Sequence, residues 1–449
     1  MLSRFVHIYE KNGIYSYYHS LKNIPLYLTI EENVLLKKYL ATGSKNNENE
    51  EIVSAFEENE FLIADDSEDV RLFDALKNGH PLPAITTAYF ILSEDCNMAC
   101  SYCFLGNAKK HFCGNSKMNI ETAQKSFDFF INQTLNSGVD NSVTRQVVFY
   151  GGEPLIGFDT LKYFVELYSE YKRTNKISFD VEFSIVTNGT LLTPEVARYL
   201  RENQISVSLS LDGPNEVANE NRVFKNNRPA FDAIMAAVDI LNAESVEFGL
   251  SLTLSESTLS TPVDDLTAFL LEKNITSVNL NTLLLAEQMG AKDDYYERAT
   301  QYIIDFWKVA REKGIYEDRI MRKLRAFVNQ NFYYYDCAET SGCQLVFAPN
   351  GSIGICHGHL ESKETFEFSI DSDKNINQED LIIRWTYNSP ILRTECRDCE
   401  AIGVCGGGCP LNAKFDKNKG GKMDTGFCIH TKKILEFMIW DLYEKMTEG

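Results

Sequence analysis

The chain has 449 residues, 44% hydrophobic and 12% aromatic, long enough for two or three domains with a large core. Its formal charge of −20, from 64 acidic and 44 basic residues, excludes general nucleic-acid binding and docking on anionic lipid, which need a basic footprint. No run of 18 apolar residues is present, and the start Met1-Leu-Ser-Arg4-Phe5 lacks the apolar core of a signal peptide, so the expected location is the cytoplasm, with no membrane partner. In that compartment the twelve cysteines read as metal ligands or free thiols rather than disulfides.

Residues 5–29 alternate apolar and polar, with turn signals at Asn12-Gly13 and Asn23-Ile-Pro25, and predict two or three short antiparallel strands. Helical patterns follow at 31–41, 50–60 and 67–78, and His80-Pro-Leu-Pro83 closes the unit as a linker. From 86 onward strand and helix patterns alternate. Strands are expected at 87–92, 146–150, 181–187, 205–210, 246–254 and 277–284. Helices are expected at 119–135, 159–173, 194–203, 229–242, 263–273 and 293–313. Six such units predict an α/β architecture with a parallel sheet, an open and partial (β/α)6 barrel whose ligands bind at the carboxyl ends of the strands. From about 330 the periodicity fades until a helix at 431–446. Eight cysteines crowd that interval, which reads as a loop-rich region held by metal.

The chemistry starts at Cys96-Asn-Met-Ala-Cys100-Ser-Tyr-Cys103, straight after the apolar run Ala88–Leu92. Three thiolates spaced C-x3-C-x2-C on one loop can hold three irons of a cubane and leave the fourth open to a ligand from outside the protein. A zinc loop or three free thiols are the alternatives, although zinc calls for a fourth ligand nearby. Tyr150-Gly151-Gly152-Glu153-Pro154 ends the second barrel strand. Its glycines let backbone come close to a ligand, and its carboxylate can accept hydrogen bonds from an ammonium group. An ordinary strand-to-helix turn would use the same residues. Asn188 ends the third strand as a contact or a turn cap. Ser210-Leu-Asp212-Gly213-Pro214 ends the fourth, Asp212 reading as a capping turn, and Arg222 follows twelve residues after Ser210.

These motifs together resemble the radical S-adenosylmethionine (SAM) superfamily. The resemblance implies a [4Fe–4S] cluster on Cys96, Cys100 and Cys103, with Tyr102 fitting that family's loop and the cofactor chelating the open iron. It implies reductive cleavage of the cofactor to a 5′-deoxyadenosyl radical that abstracts a substrate hydrogen. Gly151, Gly152 and Glu153 would meet the methionyl amine of the cofactor, and Ser210 and Arg222 its carboxylate, for which an arginine fork is suited. Asn188 would add a further cofactor contact.

The later cysteines resemble the SPASM domain with two auxiliary [4Fe–4S] clusters, three clusters in all. The family's interleaving implies Cys337, Cys343, Cys356 and Cys409 on one and Cys396, Cys399, Cys405 and Cys428 on the other; Cys337 lies outside the seven-cysteine pattern and either closes the first set or stays free, and a zinc-ribbon pair is the alternative for Cys396-x2-Cys399. Cys113 belongs to no set and reads as a free thiol. His357 stands at a position that resembles the catalytic aspartate of anaerobic sulfatase maturases, and the histidine there counts against their substrate. It could move a proton, or it could support a neighbouring ligand or lie at the surface.

The first 83 residues look like the winged-helix-like leader-recognition domain of ribosomal peptide maturases, a sheet edge and helix groove suited to a peptide strand; a generic scaffold is the alternative. The expected division is 1–83 for leader recognition, 84–315 for the barrel and 316–449 for the SPASM region. The resemblance implies an oxidoreductase that cross-links residues of a precursor peptide, fed by a low-potential donor such as flavodoxin or ferredoxin. The rivals are a sulfatase-type maturase oxidising Cys or Ser and an electron-transfer protein without turnover.

Overall fold

Asn12 and Gly13 both take positive φ, 53° and 79°, and close a two-residue hairpin between β1 (Val6–Lys11) and β2 (Ile14–His19). β3 (Ile24–Leu28) pairs antiparallel with β2, giving a three-stranded sheet in the order β1-β2-β3. The computed structural model describes every residue apart from 106–116, 285, 287–288, 373–374, 377–378, 416–422 and 449, so Cys113 lies outside the described residues.

Each face of the small sheet has its own cover. Tyr17 and Leu28 bury against Leu36, Ile52, Phe56 and Phe61 from the helices Ile30–Thr42 and Glu50–Glu58 and the turn that follows. Thr29 and Glu32 form a capping box at the start of the first of these helices. On the opposite face Tyr27 donates to the carbonyl of Ile439 at 2.5 Å and packs beside Trp440 and Tyr443 in the helix Thr425–Glu448. A second core joins Phe5, Leu21 and Phe73 to Ile391 and Ile402. Gly403 sits so close to the β2–β3 turn that a Cβ there would lie 2.2 Å from the carbonyl oxygen of Ser20.

The chain accordingly divides into two units. One comprises Met1–Pro81, Ile320–Cys337 and Tyr387–Gly449; the other comprises Leu82–Arg319 and Ala338–Thr386. This differs from the three consecutive spans expected above. The physical reason is Phe5, Leu21 and Phe73, whose apolar surface is covered by Ile391 and Ile402, far later in the chain, which no local pattern records.

In the second unit six strands run parallel: β4 (Thr87–Ser93), β5 (Arg145–Gly151), β6 (Val181–Thr187), β7 (Ser206–Ser210), β8 (Phe248–Leu254) and β9 (Ser277–Thr282). Helices Ile120–Leu135, Phe158–Arg173, Pro194–Glu202, Phe231–Ala243, Val263–Glu272 and Tyr295–Glu312 alternate with them or follow, close to the expected ranges. The sheet is larger than six strands. β10 (Tyr316–Glu317) adds parallel to β9, while β11 (Gln344–Phe347) adds parallel to β4 and leads into antiparallel β12 (Ser352–Gly354) and β13 (Phe368–Ser369).

Burial alternates along β5, with Val147 and Phe149 under the helices. Phe90 is wholly buried, 4.3 Å from the ring of Phe164 and 4.8 Å from that of Phe347, a burial worth about 1.5–3 kcal/mol. Because β4–β9 are parallel, their carboxyl ends, and the motifs that follow them, share one edge of the sheet. No helix among the described residues is long and apolar enough to cross a membrane.

Candidate functional site

Gly151 and Gly152 dictate how the cysteine loop leaves β4. Gly151 has φ 141°, and a Cβ there would fall 2.1 Å from the carbonyl oxygen of Ser93. A Cβ on Gly152 would fall 2.5 Å from that of Asp95. The amides of Gly152 and Glu153 donate to the Ser93 and Asp95 carbonyls, both at 2.9 Å. The close approach that these glycines permit is therefore to the base of the Cys96 loop. Gly152→Ala is expected to lower stability by about 1–3 kcal/mol, since backbone must give way. Urea denaturation checks this, and an unchanged midpoint counts against the clamp.

Glu153 is fully buried. Its Oε1 accepts from Thr187 Oγ1 at 2.7 Å and from the Leu155 amide at 2.9 Å, and its Oε2 from the Asn188 amide at 2.8 Å. Burial pushes its pKa up to about 7 against the pull of those donors. Three acceptor positions of the roughly four on a carboxylate are occupied, which leaves one for a further donor. Asn188 serves two purposes. Its Oδ1 caps Thr190 at 2.9 Å, and its Nδ2 reaches Asn97 Oδ1 at 3.1 Å and Cys96 Sγ at 3.6 Å.

A buried charge pair stands at the ends of β7 and β8. Arg222 Nη2 donates to Asp212 Oδ1 at 2.9 Å, and the Thr253 amide donates to the same oxygen at 2.9 Å. Tyr102 OH donates to Asp212 Oδ2, with the Arg222 guanidinium 5.5 Å from the tyrosine ring centre. Burial opposes the charge on Arg222, but Asp212 and then the neighbouring Tyr102 and Cys100 outweigh it and hold the guanidinium protonated. Arg222 Nε is buried with no hydrogen-bond partner among the described residues. Asp212, expected only to cap a turn, is the junction of this network. No local signal distinguishes the two roles, because Tyr102 is 110 residues away. Ser210, half-buried at the end of β7, pairs in register with Ser251 of β8.

The segment around Arg222 also pins the cysteine loop. The Ala99 amide donates to Val223 O at 2.7 Å and the Ser101 amide to Asn221 O at 3.1 Å. Burial pushes the Cys96 thiol up to about 12 and Cys100 up to about 11, and each is raised further by neighbouring cysteines of the loop. Cys103 is raised for the same first reason. Three thiols that resist ionisation, held half-buried on one loop, fit a metal cluster, whose positive charge deprotonates its ligands. The orphaned Arg222 Nε and the spare acceptor on Glu153 fit the carboxylate and amine of an amino-acid-bearing cofactor.

His357 lies in an aromatic wall at the β4–β5 side. Its ring stacks on Tyr89 at 5.0 Å and 10°, meets Tyr150 at 5.0 Å and Phe104 at 5.7 Å, and its Nδ1 is 3.4 Å from Glu339 Oε1. Burial lowers its pKa, with Glu339 opposing.

Residues 90–266, from β4 into the helix after β8, match the model of the radical SAM superfamily. This chain carries a radical SAM domain. It is an enzyme. Among similar proteins, the radical SAM cyclopropyl synthase TigE of Paramaledivibacter caminithermalis is 25% identical over 88% of this chain and 83% of its own. A cysteine-type anaerobic sulfatase-maturating enzyme of Clostridium novyi is 25% identical over 77% of this chain and 92% of its own. The structure of native anSMEcpe with bound AdoMet and Kp18Cys peptide shares the fold with a TM-score of 0.66 and 22% identity, over 82% of this chain and 100% of that one.

The eight later cysteines lie outside the part matched to the radical SAM domain. Cys396, Cys399, Cys405 and Cys428 all belong to the unit that contains the N-terminal sheet. Burial comes first in raising the Cys428 thiol, to about 12, and the charges of Cys405, Cys396 and Cys399 follow. Cys337 and Cys409 belong to the same unit; Cys343 and Cys356 belong to the other, at the start of β11 and after β12. None of the eleven described cysteines is in a disulfide. Among the described residues no three His, Cys, Asp or Glu side chains converge on a single-ion position. A cubane takes one thiolate per iron, so its ligands stand apart.

Proposed function

We propose that this radical SAM enzyme cross-links residues of a ribosomally made precursor peptide in the cytoplasm. When bound, the cluster and S-adenosylmethionine supply a 5′-deoxyadenosyl radical able to take a hydrogen atom from the substrate. Cys96, Cys100 and Cys103 would hold that cluster, with Tyr102 orienting Arg222 through Asp212. Arg222, aided by Ser210, would bind the cofactor carboxylate. Glu153 and the turn Gly151-Gly152 would receive its amine, and Asn188 would hold the loop beside Cys96. His357, set against Tyr89 and Tyr150, would accept the proton released as the substrate bond forms. The eight later cysteines would hold two auxiliary clusters, an acceptor for the surplus electron, and flavodoxin or ferredoxin would supply the low-potential one.

The N-terminal sheet carries the peptide reading. β1 and β3 are its edge strands. Beside the β2–β3 turn lies a cleft of about 600 Å³ lined by Leu21, Ile24, Leu72, Leu76, Phe332 and Tyr334, suited to apolar side chains of an extended leader. The bound peptide in the anSMEcpe structure lends support. The sulfatase maturases among the similar proteins favour a second reading, oxidation of a single Cys or Ser.

The test uses anaerobically reconstituted enzyme, reductant, S-adenosylmethionine and a short cysteine-containing peptide encoded beside its gene. The expected product has lost a hydrogen pair and retains no free thiol at the bridged cysteine. A formylglycine product selects the second reading, and 5′-deoxyadenosine without any change to the peptide counts against both.

A further inference from the structure

One face of the N-terminal sheet is turned toward the loop Cys396–Cys405. Along β1, His7 and Tyr9 share a face, and their cross-strand partners are Tyr18 and Ser16. That face is joined to the loop at several points. Phe5 and Leu21 pack with Ile402 and Cys399, and Arg4 pairs with Asp398 at 2.9 Å. Asn23 Nδ2 donates to the carbonyl of Gly403 at 3.3 Å, where the missing Cβ lets the turn approach. Lys432 Nζ, on the helix that carries Cys428, pairs with Glu400 at 3.0 Å.

Tyr9 OH, His7 Nε2 and Ser16 Oγ are buried on this face, with no hydrogen-bond partner among the described residues. Buried polar atoms are almost always hydrogen-bonded, so two hydroxyls and an imidazole nitrogen left over on one face point to a partner that protein atoms do not provide. The Tyr9 phenol lies within electrostatic reach of Glu400, Glu436 and the thiol of Cys399. The sulfur atoms of an iron–sulfur cluster accept hydrogen bonds, and such bonds are among the determinants of its potential.

We propose that Tyr9 donates a hydrogen bond to the cluster held by Cys396, Cys399, Cys405 and Cys428, and so raises its reduction potential. This rests on the assignment of those four cysteines to an auxiliary cluster. Tyr9 is a positioning and tuning residue: its donor stabilises the reduced, more negative state, whereas the Glu400 carboxylate opposes it and Lys432 offsets part of that opposition. The strand that would meet the peptide is then also a wall of the electron-accepting site.

The experiment measures midpoint potentials by anaerobic redox titration with electron paramagnetic resonance detection. It uses the full chain with Cys96, Cys100 and Cys103 replaced by alanine, and the signal of interest is identified by its loss in Cys428→Ala. Tyr9→Phe keeps the ring and removes the donor; with iron content unchanged, its potential should shift negative. Glu400→Gln should shift the same signal positive. An unmoved signal in Tyr9→Phe at full iron content overturns the proposal. If Tyr9→Phe fails to retain the cluster, Glu400→Gln decides, and an unmoved potential there overturns it. A parent protein without any signal sensitive to Cys428 removes the cluster assignment itself, and the proposal with it.

Discussion

Changing Cys96, Cys100 and Cys103 together to alanine is expected to reduce 5′-deoxyadenosine formation to background while about eight irons per chain remain. The loop and the later cysteines are separate in sequence, and the four cysteines of the second auxiliary set lie in a different unit from the loop. Loss of the loop thiols should therefore leave that set able to assemble. The loop is pinned by amide bonds to Asn221 and Val223 and clamped at its base by Gly152 and Glu153, none of which involves a cysteine side chain. The triple variant should fold. Iron and sulfide assays with anaerobic cofactor-cleavage measurements check both halves. Continued 5′-deoxyadenosine formation would refute the role of this loop, and a fall to no iron at all would refute the auxiliary clusters.

The second large effect is expected at Asp212. Asp212→Asn keeps the size of the side chain and removes its charge, leaving Arg222 charged and uncompensated in a buried site. Breaking a buried pair by removing one partner costs about 3–5 kcal/mol. Asn keeps a single acceptor oxygen for the three donors that Asp212 satisfies, Arg222, the Thr253 amide and Tyr102, so the cysteine loop and the end of β8 should both loosen. Urea denaturation of Asp212→Asn, Arg222→Met and the double variant gives the coupling. The double variant should recover part of the loss from Asp212→Asn alone, because the stranded charge is gone. A loss under about 1 kcal/mol for Asp212→Asn would mean that the pair is not the junction described.

Much of the barrel was legible in the residues themselves. The strands at 87–92, 146–150 and 181–187 and the helices between them were expected within a residue or two of where they stand. Apolar runs bounded by amphipathic helices are a local signal, and parallel strands covered on a face by helices must carry it. Asn12-Gly13 was equally plain, because a two-residue turn with two positive φ angles favours that pair. β11–β13 were not seen. Gln344–Phe347 is four residues long and buried throughout, too short to show a period.

The site was legible as a set of residue types and only partly as a set of roles. The spacing of Cys96, Cys100 and Cys103 is chemistry written in one short loop, and it needs no tertiary structure to be read. Glu153 and Gly152 were singled out for a ligand. In the fold three of the bonds to Glu153 come from Thr187, Leu155 and Asn188, and Gly152 meets Asp95.

What the sequence determined by itself was the alternation of β and α, the open barrel and the cysteine spacings, since each depends on residues a few positions apart. Only the tertiary structure decided that Asp212 joins Arg222 to Tyr102, that His357 lies against Tyr89 and Tyr150, and that the N-terminal sheet and residues 387–449 form one unit. Periodicity records which face of an element is apolar; it does not record what covers that face. Each of these pairings brings together residues whose separation in sequence carries no pattern, and only packing and burial select the partner.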